Sequence, residues 1–204
     1  MSYEQWHRRL ISGQDIGFVA KVLRLFLSWA AIVYWLVIGV RNFLYSKGWL
    51  KTISVNAIVF SVGNITVGGT GKTPLVIWLC RFLAQKDFSC AILTRGYKAA
   101  FSIQRSNIRV QDYKDELAML AENCPQAKIV VNSDRVAGAI RAINEFEARI
   151  LIMDDGFQHR RLARDLDIVM IDATQPFGYG RLLPAGLLRE PISSLKRADV
   201  VVIT

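Results

Sequence analysis

The sequence predicts an α/β fold, a doubly wound parallel sheet, preceded by a long apolar helix. Short continuous apolar runs alternate with helix-like segments from residue 53 onward, which is typical of strands covered on both faces. A glycine-rich loop separates the first run from the first helix, and an uncharged apolar stretch occupies residues 25–40. With 204 residues, 52% of them apolar, the chain is long enough to bury a core. We expect residues 1–52 to form an N-terminal segment and residues 53–204 a core domain.

The basic charge of the chain surrounds its apolar stretch. The net charge is +9, and residues 1–60 hold seven Lys/Arg against two Asp/Glu, an excess of five. Basic side chains beside an apolar segment favour a membrane surface as the partner, because anionic lipid attracts them. We therefore expect a membrane-associated N-terminal segment and no nucleic-acid partner.

The apolar stretch at residues 25–40 allows three interpretations. It holds sixteen uncharged residues, whereas a bilayer span needs about 20, with about 17 as the short limit. Basic residues flank both ends, so charge does not orient a span. Trp29, Tyr34, Trp35 and Trp49 suit the lipid headgroup boundary. We favour a helix lying in the membrane surface, with a true span and a buried core helix as the alternatives.

The remaining pattern predicts six strands and three helices. The predicted strands cover residues 57–62, 90–94, 128–131, 149–153, 166–171 and 199–203. The predicted helices cover residues 75–83, 115–123 and 134–146. The last strand reaches the end of the sequence without the covering helix that such a sheet normally adds, so we expect a shortened chain.

The glycine-rich loop predicts a binding site for nucleotide phosphates. Residues 63–74 read GNITVGGTGKTP, between a predicted strand and a predicted helix. In a P-loop NTPase-like sheet, such a loop presents backbone N–H groups to phosphate, its lysine reaches the outer phosphates, and the next hydroxyl binds Mg²⁺. The general pattern has glycine where Thr66 stands, and the doubled Gly68 and Gly69 can supply the flexibility. The predicted phosphate-binding residues are Thr66, Val67, Gly68, Gly69, Thr70, Gly71, Lys72 and Thr73.

Two carboxylates after a predicted strand indicate a metal site. Asp154 and Asp155 end an apolar run, as the Walker-B carboxylate does in P-loop enzymes, where it holds Mg²⁺ near the loop hydroxyl. Together with Thr73 they are the predicted Mg²⁺ ligands. The alternative is a solvated turn before Gly156.

Other polar residues fall where open α/β sheets bind ligands. Gln158 and His159 follow the two aspartates, and His159 is equally suited to structural hydrogen bonding. Arg189 and Glu190 lie in the glycine- and proline-punctuated segment 180–191, where arginine suits phosphate recognition.

Asp115 and Glu116 are candidates for a catalytic carboxylate. Phosphoryl transfer to an alcohol needs a group that accepts the hydroxyl proton. Both residues begin a predicted helix, so the alternative role of Asp115 is a helix N-cap.

Taken in order, these motifs resemble the tetraacyldisaccharide 4′-kinases (lipid A 4′-kinases) of Gram-negative outer-membrane biogenesis. The shared stretches are GNITVGGTGKTP (63–74), TRGY (94–97), DDGFQHRRL (154–162), DLDIVMID (165–172), GRLLPAG (180–186) and LREP (188–191). The resemblance implies transfer of the γ-phosphate of ATP, with Mg²⁺, to the 4′-hydroxyl of a tetraacyldisaccharide 1-phosphate, giving lipid IVA. It also implies a glycolipid substrate and a location at the cytoplasmic face of the inner membrane.

The resemblance implies roles for single residues. The family shares Thr66, so the whole loop is implied to bind ATP. Asp115 matches the proposed catalytic base, and Lys72 is the second catalytic candidate. Around Asp115 this chain reads KDEL at 114–117, where the family usually has GDEP. Asp154 and Asp155 match the family's Walker-B-like pair. The candidate substrate contacts are Glu116, Gln158, His159, Arg189 and Glu190.

The resemblance implies one further expectation and leaves two alternatives. Family members continue into a smaller second domain that closes over the site and contributes a histidine, and we expect this sequence to lack it. One alternative is a membrane-associated regulatory ATPase, whose loop has a second lysine where Val67 stands. The other is a truncated nucleotide- or lipid-binding remnant without turnover.

Overall fold

The computed structural model describes residues 3–95 and 111–204, with side chains described at 5–95 and 117–204. Six strands and five helices form in this part of the chain. The strands are β1 (Ile58–Asn64), β2 (Cys90–Thr94), β3 (Lys128–Val131), β4 (Ile150–Asp154), β5 (Leu166–Ile171) and β6 (Val200–Ile203). The helices are α1 (Tyr3–Ser12), α2 (Phe18–Ser46), α3 (Lys72–Ala84), α4 (Gln111–Asn123) and α5 (Arg135–Phe146), with 3₁₀ turns at Gly178–Gly180 and Ile192–Arg197.

The strands form one parallel sheet in the order β3-β2-β4-β1-β5-β6. This confirms the predicted doubly wound α/β fold. The chain leaves β1, builds the β2, β3 and β4 side, and then crosses to β5 and β6 on the other side of β1. Ligands of such sheets bind at the carboxyl ends of the strands, where the order reverses. In this molecule that place is the end of β1 and β4.

Two cores explain why the strands are continuously apolar. Val62, Ile152 and Ile168 belong to a cluster with α3 and α4, whereas Val59 and Leu151 belong to a second cluster with α5. Successive residues of one strand therefore face opposite cores, as the period of two requires. Both faces of the sheet are covered, so no polar alternation remains in the sequence.

Helix α2 is longer than the uncharged stretch that predicted it. It spans 29 residues, and within the described residues it is the one helix that is long and apolar enough to cross a membrane. Only 6% of its most apolar window is buried, which contradicts the alternative of a buried core helix. Its exposed large apolar side chains are Phe18, Val19, Leu25, Phe26, Trp29, Ile32, Val33, Trp35, Leu36, Val37, Val40 and Phe43.

Two helices begin earlier than the sequence predicts. Helix α3 starts at Lys72, directly after Gly71, because the phosphate loop feeds straight into its first turn. Helix α4 starts at Gln111, so Asp115 lies one turn inside it and is not its N-cap. The side chains of Asp115 and Glu116 lie outside the described part of the structure.

We expect Gly63→Ala to destabilise the fold. A Cβ at this position in β1 would lie 2.6 Å from Phe157 Cβ and 2.7 Å from the Phe157 nitrogen, so the loop after β4 would have to shift. The expected loss in free energy of unfolding is about 1–3 kcal/mol, measured by urea unfolding in detergent. The control is Gly17→Ala, where a Cβ would meet nothing within 4 Å. Equal unfolding midpoints for the two variants would contradict the close packing of β1 on Phe157.

Candidate functional site

The phosphate loop has a backbone that requires glycine at two positions. β1 ends at Asn64 and α3 begins at Lys72, so the loop joins a buried strand to a helix N-terminus. Gly68 and Gly71 have φ of 138° and 71°, where a side chain is strained. The amino end of α3 adds its partial positive charge beside the loop. This geometry suits a bound phosphate group.

The first half of the loop is held by the segment before Glu190. Val67 N donates to Leu187 O at 2.8 Å, and Arg189 N donates to Ile65 O at 2.7 Å. Thr66 forms an antiparallel bridge with Leu188 between these two bonds. The bridge keeps Thr66 in extended backbone, which explains why a residue with a side chain fits where the general pattern has glycine.

Asp155 lies between two cations at the end of β4. Arg189 Nη1 donates to both carboxylate oxygens at 2.8 Å, and Lys72 Nζ lies 3.7 Å from Oδ1. Burial opposes ionisation of Asp155, but the charges of Arg189 and Lys72 outweigh it and hold its pKa below the usual range. The three side chains therefore form an ionised cluster, which we call the Asp155 cluster.

The predicted metal ligands belong to elements that the Asp155 cluster joins. The contact between Lys72 and Asp155 brings the start of α3, which carries Thr73, to the end of β4. Asp154 is buried at that end, and its main-chain oxygen accepts from Arg135 Nη2 at 2.8 Å. A hydroxyl and one or two carboxylates fit Mg²⁺, which usually takes its other ligands from phosphate and water.

Gln158 connects the end of β1 to the Asp155 cluster. Its Nε2 donates to Asn64 O at 2.7 Å, and its Oε1 accepts from Arg189 Nη1 at 3.4 Å. The amide thus contacts the same Arg189 nitrogen that binds Asp155. In this structure Gln158 is a support for the cluster, and its role toward a substrate stays a prediction.

Glu190 is buried, whereas a contact with a substrate would need an exposed carboxylate. Its side chain is 0% exposed. The carboxylate accepts from Arg41 Nη2 of α2 at 2.8 Å and from Arg197 Nη2. Because the carboxylate is enclosed by these arginines, it has no free surface on which to meet a substrate.

His159 presents an unpaired ring nitrogen in a cationic environment. Nε2 is buried and has no hydrogen-bond partner in the described part of the chain. Burial, together with the charges of Arg95, Arg135 and Arg164, lowers the pKa of His159 to about 4. The ring is therefore neutral near pH 7, which suits hydrogen bonding and excludes a role as a cation.

Three arginines of this region were not predicted from the sequence. Arg135 is 1% exposed and supports the end of β4, and Arg41 pairs with Glu190. Arg8 of α1 lines a small cavity together with loop residues 66–70, Asp172 and Gln175. Each residue reaches the site from a distant element, so no local motif marks it. The basic excess of residues 1–60 was the only sequence signal, and it covers Arg8 and Arg41 but not Arg135.

A glycine loop between a central parallel strand and a helix, facing a strand that ends in two aspartates, defines a P-loop nucleotide-binding protein. Comparison with known proteins places it more closely. The family model of LpxK, tetraacyldisaccharide-1-P 4′-kinase, matches residues 23–204, and the chain belongs to this family. The resemblance seen in the motifs is thereby confirmed.

Relatives and a solved structure agree with the family. Proteins named tetraacyldisaccharide 4′-kinase from Geobacter sulfurreducens and Halothermothrix orenii are 39% and 43% identical over 100% and 98% of this chain. A crystal structure of the "apo" form of LpxK from Aquifex aeolicus in complex with ATP superposes with a TM-score of 0.77, at 37% identity over 89% of this chain. The chain spans 60%, 54% and 59% of the lengths of these three proteins.

We expect His159 to titrate well below an ordinary histidine. Its folded pKa is about 4, whereas an unfolded histidine titrates near 6.5, so the unfolded chain binds more protons between these values. The stability that neutral His159 contributes is complete above pH ~6.5 and is lost as pH falls from there toward the folded pKa. NMR titration of the imidazole resonances measures this directly.

The chain has one other histidine, His7, so the two imidazole signals must be told apart. The variant His159→Gln identifies the His159 signal by its disappearance. A His159 midpoint near 6.5 would contradict the buried cationic environment.

Proposed function

We propose that this chain provides the nucleotide-binding and catalytic core of a tetraacyldisaccharide 4′-kinase. The reaction transfers the γ-phosphate of ATP to the 4′-hydroxyl of a tetraacyldisaccharide 1-phosphate and gives lipid IVA. The observation that supports this proposal is the Asp155 cluster, in which Lys72 of the phosphate loop and Arg189 both contact Asp155, in a chain of the LpxK family. Because the chain spans only 54–60% of the lengths of these relatives, the activity of the whole protein is itself part of what we propose.

ATP would lie with its phosphates on the loop N–H groups and at the amino end of α3. The Lys72 ammonium, 3.7 Å from Asp155 in this structure, would exchange part of this carboxylate contact for outer phosphate oxygens. Arg189 keeps two bonds to Asp155 and so retains positive charge nearby. Mg²⁺ would be held by Thr73, Asp154 and Asp155 and would neutralise charge that develops on the phosphates.

The acceptor hydroxyl must lose a proton as its oxygen bonds to the γ-phosphorus. We assign this proton to Asp115, which lies on α4, a helix on the same side of the sheet as α3. The bond between the γ-phosphorus and the β,γ-bridging oxygen breaks, and ADP leaves with that electron pair. Glu116, Gln158, His159 and Arg189 remain the candidate contacts of the glycolipid.

Helix α2 supports membrane association, and we propose the cytoplasmic face of the inner membrane as the place where the protein would meet the glycolipid. The helix lies against the core at several points: Ser28, Ala31 and Ile32 line a cavity with the segment 181–185, the Tyr34 hydroxyl donates to Arg189 O at 3.0 Å, and Arg41 pairs with Glu190. The part of α2 before these points, residues 18–27, is about 15 Å long. A bilayer hydrocarbon core is about 30 Å thick, so this length favours a helix that dips into the surface over one that crosses it.

We expect the purified chain, given ATP, Mg²⁺ and detergent-dispersed tetraacyldisaccharide 1-phosphate, to yield product with one added phosphate by mass spectrometry. Lys72→Ala should abolish nucleotide binding or turnover, because it removes the charge that meets the outer phosphates. Asp115→Asn should lower turnover by about 10²–10⁴ with ATP affinity little changed.

The control variant is Lys86→Ala, an exposed lysine just beyond α3. It should match the wild type in both measurements. A wild-type chain that binds ATP but gives no product would refute catalysis by this chain. A wild-type chain that does not bind ATP would refute the nucleotide site. A full rate for Asp115→Asn would refute its role as base.

We expect the double variant Phe26→Ser/Val33→Ser to bind vesicles of anionic phospholipid at least about tenfold more weakly than the wild type, since each change removes exposed apolar surface from α2. Co-sedimentation measures this. Phe88→Ser is the matched control, because Phe88 is 49% exposed but lies outside α2, in the segment before β2. Equal losses in the two proteins would contradict a specific role of α2.

A further inference from the structure

Two consecutive residues connect α2 to the phosphate loop. The Arg189 side chain reaches Asp155, and the Glu190 side chain reaches Arg41 of α2. The contacts thus run from α2 through Arg41 and Glu190 to the backbone, and from there through Arg189 and Asp155 to Lys72. The membrane-associated helix and the loop that would hold ATP share one short segment of chain.

The carboxylate of Glu190 depends on α2 for its burial. A fully enclosed carboxylate is costly unless charged partners and hydrogen bonds surround it. Arg41 and Arg197 supply the charges, and Asn42 Nδ2 adds a long contact of 3.5 Å. Arg41 and Asn42 both belong to α2, and Arg41 is the one charged residue of that helix after Arg24.

The backbone of Arg189 is held from the same two directions. Its carbonyl accepts from the Tyr34 hydroxyl of α2 at 3.0 Å, and its N–H donates to Ile65 O at 2.7 Å, directly before the phosphate loop. A displacement of α2 would therefore act on the residue that carries the Asp155 contact. Arg160 strengthens the same junction, because its Nη1 donates to Asn42 O at 3.1 Å.

We propose that Arg41 is a positioning residue: by pairing with Glu190 it docks α2 and sets the place of the Arg189 guanidinium on Asp155. The docking of the membrane helix and the order of the phosphate loop are thereby energetically coupled. The functional consequence, a change in ATP affinity, rests on the proposed function. The other use of such an arginine is contact with anionic lipid headgroups, which leaves the loop unaffected.

The experiment compares the full chain with Arg41→Met, Arg41→Lys and the double variant Arg41→Met/Glu190→Gln, with Lys21→Met as control. Lys21 is an exposed basic residue on the same helix. Three properties are measured in detergent or on vesicles: hydrogen exchange of the peptide that holds the Arg189 amide, the Kd of MgATP, and co-sedimentation with anionic vesicles.

In Arg41→Met we expect the Arg189 amide to exchange faster and the Kd of MgATP to rise, each by about 2- to 30-fold. Arg41→Lys should show a smaller effect, because lysine keeps the charge but lacks the planar fork. The double variant should not recover either property, because it lacks the same contact between α2 and residue 190. Lys21→Met should change neither, and vesicle binding of Arg41→Met should stay within about threefold of the wild type.

Unchanged exchange and unchanged Kd in Arg41→Met would overturn the inference, whether or not its vesicle binding falls. Wild-type exchange and a wild-type Kd in the double variant would overturn it as well, because the loss in Arg41→Met would then come from the unpaired Glu190 carboxylate and not from the missing contact with α2. If the wild type does not bind MgATP, the proposed function fails, while hydrogen exchange still tests the coupling of α2 to Arg189.

Discussion

The structure depends on the backbone pairing between residues 65–67 and 187–189. Two hydrogen bonds and the bridge between Thr66 and Leu188 attach the segment after β5 to the entrance of the phosphate loop. A glycine-rich loop by itself has many accessible conformations, and ordering it costs conformational entropy. The pairing holds one half of the loop, and α3 holds the other. The same pairing brings Arg189 to Asp155.

Electrostatics at the site follow from this arrangement. Asp155 is ionised between Arg189 and Lys72, and Glu190 is enclosed between Arg41 and Arg197. Each of these two carboxylates thus contacts two basic side chains, so the contacting cations exceed the carboxylates in number. A polyphosphate would bind near these cations with little free-energy cost of ordering their side chains, because the side chains are already held in place.

The fold was largely predictable, and the site only partly. Continuous apolar runs identified all six strands to within about two residues, because each strand faces two cores and carries no polar alternation. The phosphate loop, Asp154 and Asp155 were found through local motifs. Arg189 and Glu190 looked equivalent in the sequence, yet one reaches the site and the other is enclosed by α2. Which side each residue faces depends on packing between elements far apart in the chain.

The sequence by itself determined the fold class, the phosphate loop and the apolar character of α2, because these follow from periodicity and from residues adjacent in the chain. Tertiary structure alone decided that Thr66 is held in a bridge and that His159 is neutral. It also decided that Arg8, Arg41 and Arg135 lie at or beside the site. These properties arise from contacts between residues far apart in the chain, such as Arg41 and Glu190, which are 149 positions apart. Burial makes such contacts strong, and only the folded chain brings their partners together.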